Sequence, residues 1–406
     1  MRKAVKIGFI GVFCAVIGLA FPVFNIFSKQ LSMDSHENRL MTGLPQVLQS
    51  PLRELPRNLD NFLVDNSPFR YQFVLVNAGL DYALFGTSQS DQVLPGKDGW
   101  LFYKDGPNAA QPMANYQGLA ELNDSADTLA EASAGLQILS DKLAENGCTL
   151  VLDLTPSKDR IYREYMPDGY PIVNEENRTD LLAAYLQSHT TVPVVWRYDM
   201  LRSQARQNAD RLLYYKTDTH WNAVGALIGL DGIFEALDMP TRPADSYPVE
   251  AGGTTTGDMA NVAALYASLP AEETYVVPGY DRMFEKDSRA VRVIGDSFSE
   301  YYMPYLQARF TNSWREHIDT FTMDVAGHPG CDILILEFNE RSLDKLLAIL
   351  EQSSLYKSSN PSGIAILISF FSALTSSMRS LLAGMRISSP ASVVTSKRRL
   401  RVESST

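Results

Sequence analysis

AVRVIGDSFSEYY, residues 290–302, passes from a β-run through a Gly-Asp-Ser turn into a helical stretch. Val291 to Ile294 is short and mostly β-branched, as a strand buried in a parallel sheet should be. Ligands of open α/β sheets bind beyond the carboxyl ends of the strands, so Ser297 on such a turn projects into a site. Gly295 permits a tight turn, and N–H groups at the new helix start can donate to a developing oxyanion. Asp296 and Ser297 are also ordinary N-cap residues, so the turn alone leaves a purely structural reading open.

Outward from this turn the same alternation repeats. Strands are expected at 149–155 (TLVLDLT), 192–196 and 331–338, and helices at 125–146, 223–237, 298–310 (kinked at Pro304) and 341–350. Gly147 reads as the C-cap of the first of these helices. The spacing predicts an α/β domain over residues 91–351, with a mainly parallel sheet covered on both faces. VLPGKDGWLFYKDG, starting at Val93, places Gly and Asp turns around an aromatic strand. Residues 29–90 hold helix-like stretches broken by Pro45, Pro51, Pro56 and Pro68, and read as a juxtamembrane helical arm.

Arg2, Lys3 and Lys6 precede an uncharged run over 7–27, enough to cross a bilayer as a helix at about 1.5 Å per residue. No small-x-small cleavage site closes that run. Residues 1–28 are therefore expected to be a signal anchor, single-pass, with the body of the protein outside the cytoplasm. Residues 352–406 are serine-rich and end in Lys397, Arg398, Arg399 and Arg401, and a poorly ordered tail is expected. A second span or an interfacial helix within 363–385 is the alternative. A net charge of −11 argues against a nucleic-acid partner, because phosphate binding is driven mainly by Lys and Arg. Cys14, Cys148 and Cys331 show neither metal-ligand spacing nor a disulfide framework, and the last two read as small buried residues.

A serine hydroxyl needs a base. His220 lies in LLYYKTDTHWNAVGA, between an aromatic run and a helix start, with Asp218 two residues before it. In an extended segment positions i and i+2 share a side, so Asp218 could orient the imidazole toward Ser297. Trp221 would pack the turn and Asn222 cap the helix after it. A metal pair is the competing reading, but no third and fourth ligand shows a matching signature. His317, in SWREHID, is the second candidate base, although the stretch reads as a solvated helix-like face. His328 reads as a loop residue, and His189 and His36 as surface residues.

Six motifs in order resemble the AlgX/AlgJ family, the alginate O-acetyltransferases and their relatives in other envelope polymers. They are Glu37-Asn38-Arg39, DNSPFR (65–70), GKDGWLFY (96–103), TPSKDRIYREYMP (155–167), TDTHWN (217–222) and IGDSFS (294–299). The resemblance implies an SGNH hydrolase-like, flavodoxin-like three-layer domain, with Asp218, His220 and Ser297 as triad; Gly295, Asp296 and Asn222, by their places in the two turns, are the candidate oxyanion or positioning groups. No metal and no cofactor are expected from the residues. The resemblance further implies that a membrane-bound O-acyltransferase partner supplies an acetyl group, which passes through an acetyl-serine to a polysaccharide hydroxyl. After the catalytic part no carbohydrate-binding module is recognisable. A carbohydrate esterase with the same triad, or a non-catalytic polysaccharide assembly protein, are the alternatives.

Overall fold

A computed structural model describes residues 2–27, 42–106, 111–122, 125–208 and 210–356. The chain divides into two compact units, Met1–Ser354 and Leu355–Thr406. Of the second, only residues 355 and 356 are described, so the expected tail falls almost wholly outside the described residues, as do His36 and the Glu37-Asn38-Arg39 motif. Arg2–Phe27 is a helix. Among the described residues no helix is long and apolar enough to cross a membrane. The expected anchor is thus present as a helix and not shown as a span. In the arm, Leu44–Leu48, Leu55–Asp65 and Arg70–Phe85 are helices, with Pro45 and Pro56 in the first turns of the first two.

The strands, in chain order, are β1 (Val93–Pro95), β2 (Leu101–Tyr103), β3 (Thr149–Thr155), β4 (Val194–Trp196), β5 (Glu250–Thr255), β6 (Glu272–Val276), β7 (Asp287–Gly295), β8 (Phe310–His317) and β9 (Ile333–Asn339). β1 with β2, and β5 with β6, are antiparallel pairs. The central sheet has the order β4-β3-β9-β7-β8, and every pairing in it is parallel.

Strand periodicity sorts the core into two layers. Leu150, Leu152 and Leu154 of β3 and Leu334, Leu336 and Phe338 of β9 face helices Ser125–Glu145, Arg178–His189 and Leu343–Tyr356. Val151, Val291, Val293, Ile333 and Ile335 face the other way, toward helix Ala223–Ala236. Each fully buried Leu or Ile stabilises the fold by roughly 1.5–3 kcal/mol relative to exposure, so both layers are needed.

Two expected elements differ. The helix expected over 298–310 is a 3-10 helix, Ser297–Tyr302, followed by an α-helix, Met303–Arg309, with Pro304 in the first turn of the second. Proline at that point starts a helix rather than kinking one. SWREHID is not helical either; Phe310–His317 is edge strand β8. Its charges belong to an edge, where one side meets water and Glu316 pairs with Arg292 of β7 at 2.8 Å.

The layer facing Ala223–Ala236 also carries Asp153, which is only 1% exposed. Burial pushes its carboxyl up to about 8, against the pull of Arg197 and with repulsion from Asp296. The folded chain therefore keeps a proton that the unfolded chain releases near pH 3.9. A raised folded pKa contributes stability that is fully present below that value and lost as pH rises through about 8. We expect Asp153→Asn to flatten the fall of urea-unfolding stability between pH 5 and 7.5 by about 1.4 kcal/mol per pH unit. An unchanged slope would mean that Asp153 is ionised in the fold.

Candidate active site

β7 delivers Ser297 to the carboxyl end of the sheet. Asp296 caps the following 3-10 helix by accepting from the Phe298 amide at 2.9 Å, and also accepts from the Asn339 amide at 3.0 Å. Arg315, from β8, donates to the Asp296 carbonyl at 2.8 Å and to Ser299 Oγ at 2.7 Å, and pairs with Glu300 at 2.9 Å. Gly295 serves a different purpose from the one expected. Its φ is not in the left-handed region, but a Cβ there would lie 2.7 Å from Glu337 Oε2. Glycine is needed for close strand packing beneath Ser297, not for a tight turn. Ser297 itself stays partly exposed. Its own amide is the first of a helix, where N–H groups lack intrahelical acceptors.

The second turn, 215–222, is held from three sides. The Lys158 ammonium donates to the carbonyls of Tyr215, Lys216 and Asp218 at 3.0, 2.8 and 2.6 Å. Burial lowers Lys158 to about 7, and the nearby Glu272, Asp218, Asp258 and Asp159 resist that fall. Glu272 accepts from the amides of Lys216 and Thr217 at 2.5 and 2.7 Å. Asp258 accepts from the Thr219 amide at 2.7 Å and its hydroxyl at 2.6 Å, while its own amide donates to Asp218 Oδ2 at 2.9 Å. Gly257 admits this approach, since a Cβ there would stand 2.1 Å from the Thr217 carbonyl.

These two turns meet. His220 Nε2 lies 2.7 Å from Ser297 Oγ, and His220 Nδ1 lies 2.7 Å from Asp218 Oδ1. The imidazole stacks on Tyr301 with centroids 5.1 Å apart and also contacts Phe298. Trp221 locks the turns together by donating from Nε1 to the Phe298 carbonyl at 2.9 Å. Burial alone would raise Asp218, but hydrogen bonds from the His220 ring and from the Asp258 and His220 amides hold its carboxyl below the usual range. An ionised Asp218 accepting from Nδ1–H leaves Nε2 as the lone-pair nitrogen facing Oγ, the arrangement a general base requires.

Asp218, His220 and Asp258 also stand close enough together to hold a metal ion. Their carboxylate oxygens, however, already accept from amide, hydroxyl and ring N–H donors. That pattern fixes a turn and does not fit a cation.

The remaining residues take other positions. Asn222 caps Ala223–Ala236 by accepting from the Val224 and Gly225 amides, and its NH2 donates to the Leu212 carbonyl. It positions the helix, and its NH2 is directed to the Leu212 carbonyl. Asp296 is likewise an acceptor that shapes the turn. His317 is exposed at the end of β8 beside Asp319, His328 is an exposed residue closing a short helix, and His189 stacks on Tyr185. Lys158, Asp258, Glu272 and Arg315 were not singled out from sequence; Lys158 lay inside a quoted motif, which was its one signal. Arg341 was missed as well. It stands beside a small cavity lined by Tyr103, Lys158, Thr219 and Phe298, with its guanidinium 5.3 Å from the Phe298 ring centre.

The family model described as "SGNH hydrolase-like domain, acetyltransferase AlgX" matches residues 93–327, more than half of the chain. The chain belongs to the AlgX family. Both turns of the site fall inside the AlgX match. The chain is 25% identical over 228 residues to the probable alginate O-acetylase AlgJ of Pseudomonas putida, covering 54% of this chain and 53% of that protein. It therefore spans about half the length of that relative. Against the probable alginate O-acetylase AlgJ of Pseudomonas syringae it is 26% identical over 320 residues, covering 74% of each. The solved O-acetyltransferase domain of Pseudomonas putida AlgJ aligns with a TM-score of 0.44 and 21% identity, over 64% of this chain and 99% of that one.

Proposed function

We propose that this AlgX-family chain is a serine-dependent O-acetyltransferase that moves an acetyl group through Ser297 onto hydroxyls of a cell-envelope or exopolysaccharide. The observation that carries this reading is the pair of 2.7 Å contacts joining Asp218, His220 and Ser297. In the first half-reaction His220 Nε2 takes the Ser297 proton as Oγ attacks the donor's acetyl carbonyl. The donor C–O bond breaks, its oxygen leaves with that proton, and an acetyl-serine remains. In the second, a sugar hydroxyl gives its proton to His220, attacks the ester carbonyl, and Ser297 Oγ leaves with the proton. The Ser297 amide donates to the tetrahedral oxyanion; one such donor is worth about 10²–10³ in rate. Asp218 orients His220 and stays ionised.

Family membership and the names of the relatives support acetyl as the group and an alginate-like polymer as acceptor. A uronate acceptor would offer its carboxylate to Arg341, which forms no ion pair among the described residues. The Arg2–Phe27 helix, with Arg2, Lys3 and Lys6 at its amino end, supports a membrane anchor with an extracytoplasmic domain. The acyl donor is then a membrane-bound O-acyltransferase delivering acetyl across the bilayer.

An esterase would use the same triad with water as acceptor. The test incubates the protein with an acetyl-ester donor and either a uronate or a neutral oligosaccharide, with mass spectrometry of the sugars. Acetylated sugar is the expected product, and Arg341→Ala should raise KM for the uronate about 10–100-fold while leaving the neutral sugar unaffected. Acetate release with no acetylated sugar would make the chain an esterase.

A further inference from the structure

Cys148 and Cys331 are separated by most of the catalytic domain in sequence, yet their Sγ atoms lie 3.6 Å apart. Each residue closes the approach to a central strand. Thr149 of β3 pairs with Ile333 of β9, and the Thr149 amide donates to the Asp332 carbonyl at 2.8 Å. Cys148 thus stands opposite Asp332, and Cys331 is one residue off that register. With strands ~4.8 Å apart and a rise of ~3.3 Å per residue, the two Cα atoms are roughly 6 Å apart. That separation sits within the range a disulfide spans, about 4.4–6.8 Å, and the sulfurs already face each other at 3.6 Å. The reading of both cysteines as small buried residues holds for Cys148; Cys331 is half-buried.

We propose that Cys148 and Cys331 form a disulfide that ties β3 to β9 at the amino end of the sheet. This goes beyond the acyl-transfer reading and does not depend on it. The oxidant is a low-molecular-weight disulfide, or a protein disulfide of an oxidising compartment. The Cys331 thiolate attacks one of its sulfurs; that S–S bond breaks, one thiolate leaves, and a mixed disulfide forms. The Cys148 thiolate then attacks Cys331 Sγ and expels the second thiolate. Two electrons pass to the oxidant, and the two thiol protons end on its two thiols. The Cys148 hydrogen bond lowers Cys331 against the effect of burial, and Arg292 adds to the lowering, which suits Cys331 to the first attack. The same contact and burial raise Cys148, which suits it to the second role, as resolving thiol.

The bond would lie at the opposite end of β3 and β9 from Ser297, roughly 20 Å away along a strand of this length. It should therefore change stability and leave transfer unchanged. Both strands are central, and the loop closed between them is long, the case in which a cross-link restricts the unfolded chain most.

The test uses the full chain carrying Cys14→Ser, equilibrated with oxidised glutathione, quenched with N-ethylmaleimide and digested without reduction. A Cys148–Cys331 linked peptide is expected, with neither thiol alkylated and the intact mass about 2 Da below the reduced form. The oxidised protein should melt about 5–10 °C above the same sample in dithiothreitol, and Cys331→Ser should show no such difference. Two alkylated thiols, or glutathione retained on Cys331 without the cross-link, would overturn the proposal. So would a linked peptide that leaves the melting temperature where it was, since the tie between the strands would then carry no load.

Discussion

Ser297→Ala should lower acetyl transfer to sugar by about 10⁴–10⁶-fold, and His220→Ala by a comparable factor. The two residues act as one unit through the 2.7 Å contact between Oγ and Nε2. Without Oγ no covalent acetyl group can form. Without the imidazole, the hydroxyl stays protonated at neutral pH and the sugar hydroxyl has no base in the second step. The double variant should therefore be no slower than either single one, because a broken unit cannot be broken twice. Steady-state transfer assays on the three proteins, each shown to melt at the wild-type temperature, check this. Additive losses would mean that the residues serve separate steps. Polymer acetylation left intact in cells that carry Ser297→Ala would favour a non-catalytic assembly protein that keeps the fold.

Asp218→Asn should cost about 10⁴-fold while leaving the backbone in place. Asp218 meets three donors with two oxygens. Oδ1 accepts from the His220 amide at 3.0 Å and from Nδ1 at 2.7 Å, and Oδ2 accepts from the Asp258 amide at 2.9 Å. Asparagine has one carbonyl oxygen and one NH2. If its oxygen faces His220, the NH2 opposes the Asp258 amide. If its oxygen faces Asp258, the NH2 donates to Nδ1, and Nε2 then carries the hydrogen and cannot take a proton from Ser297. Either orientation also removes the charge that stabilises the imidazolium. The loss should appear in kcat for both half-reactions, measured by single-turnover acetylation of Ser297 and by transfer from the preformed acetyl-serine. A loss confined to KM would point to a binding role for Asp218 instead.

Much of the fold is legible along the chain because it is local. The apolar run at 149–155 and the strand–turn–helix pattern around Ser297 carry their own periodicity, and both appear as central elements. Asp218 and His220 are legible for the same reason: residues two apart in an extended turn can share a side. Their convergence with Ser297 is tertiary, and so are the groups that secure it. Lys158 reaches three carbonyls about 60 positions later, and its sequence neighbours, Asp159 and Arg160, are charged residues that look solvated yet are buried. Arg315 is one charge among several in a stretch that reads as a helix. Only its place on edge strand β8, beside β7, turns it into a brace for the Ser297 turn. Gly295 is legible as a special position but not as a packing contact, because Glu337 arrives from β9. The cysteine pair escapes for the same reason: its members meet only when β3 and β9 pair.

The most direct test is labelling of the folded protein with a serine-directed sulfonyl fluoride, followed by peptide mapping. The proposed relay predicts one adduct, on Ser297, forming quickly in the wild-type chain and about 10³-fold or more slowly in His220→Ala. Equal labelling of Ser297 in both proteins would contradict it, since the hydroxyl would then owe its reactivity to something other than the imidazole 2.7 Å away.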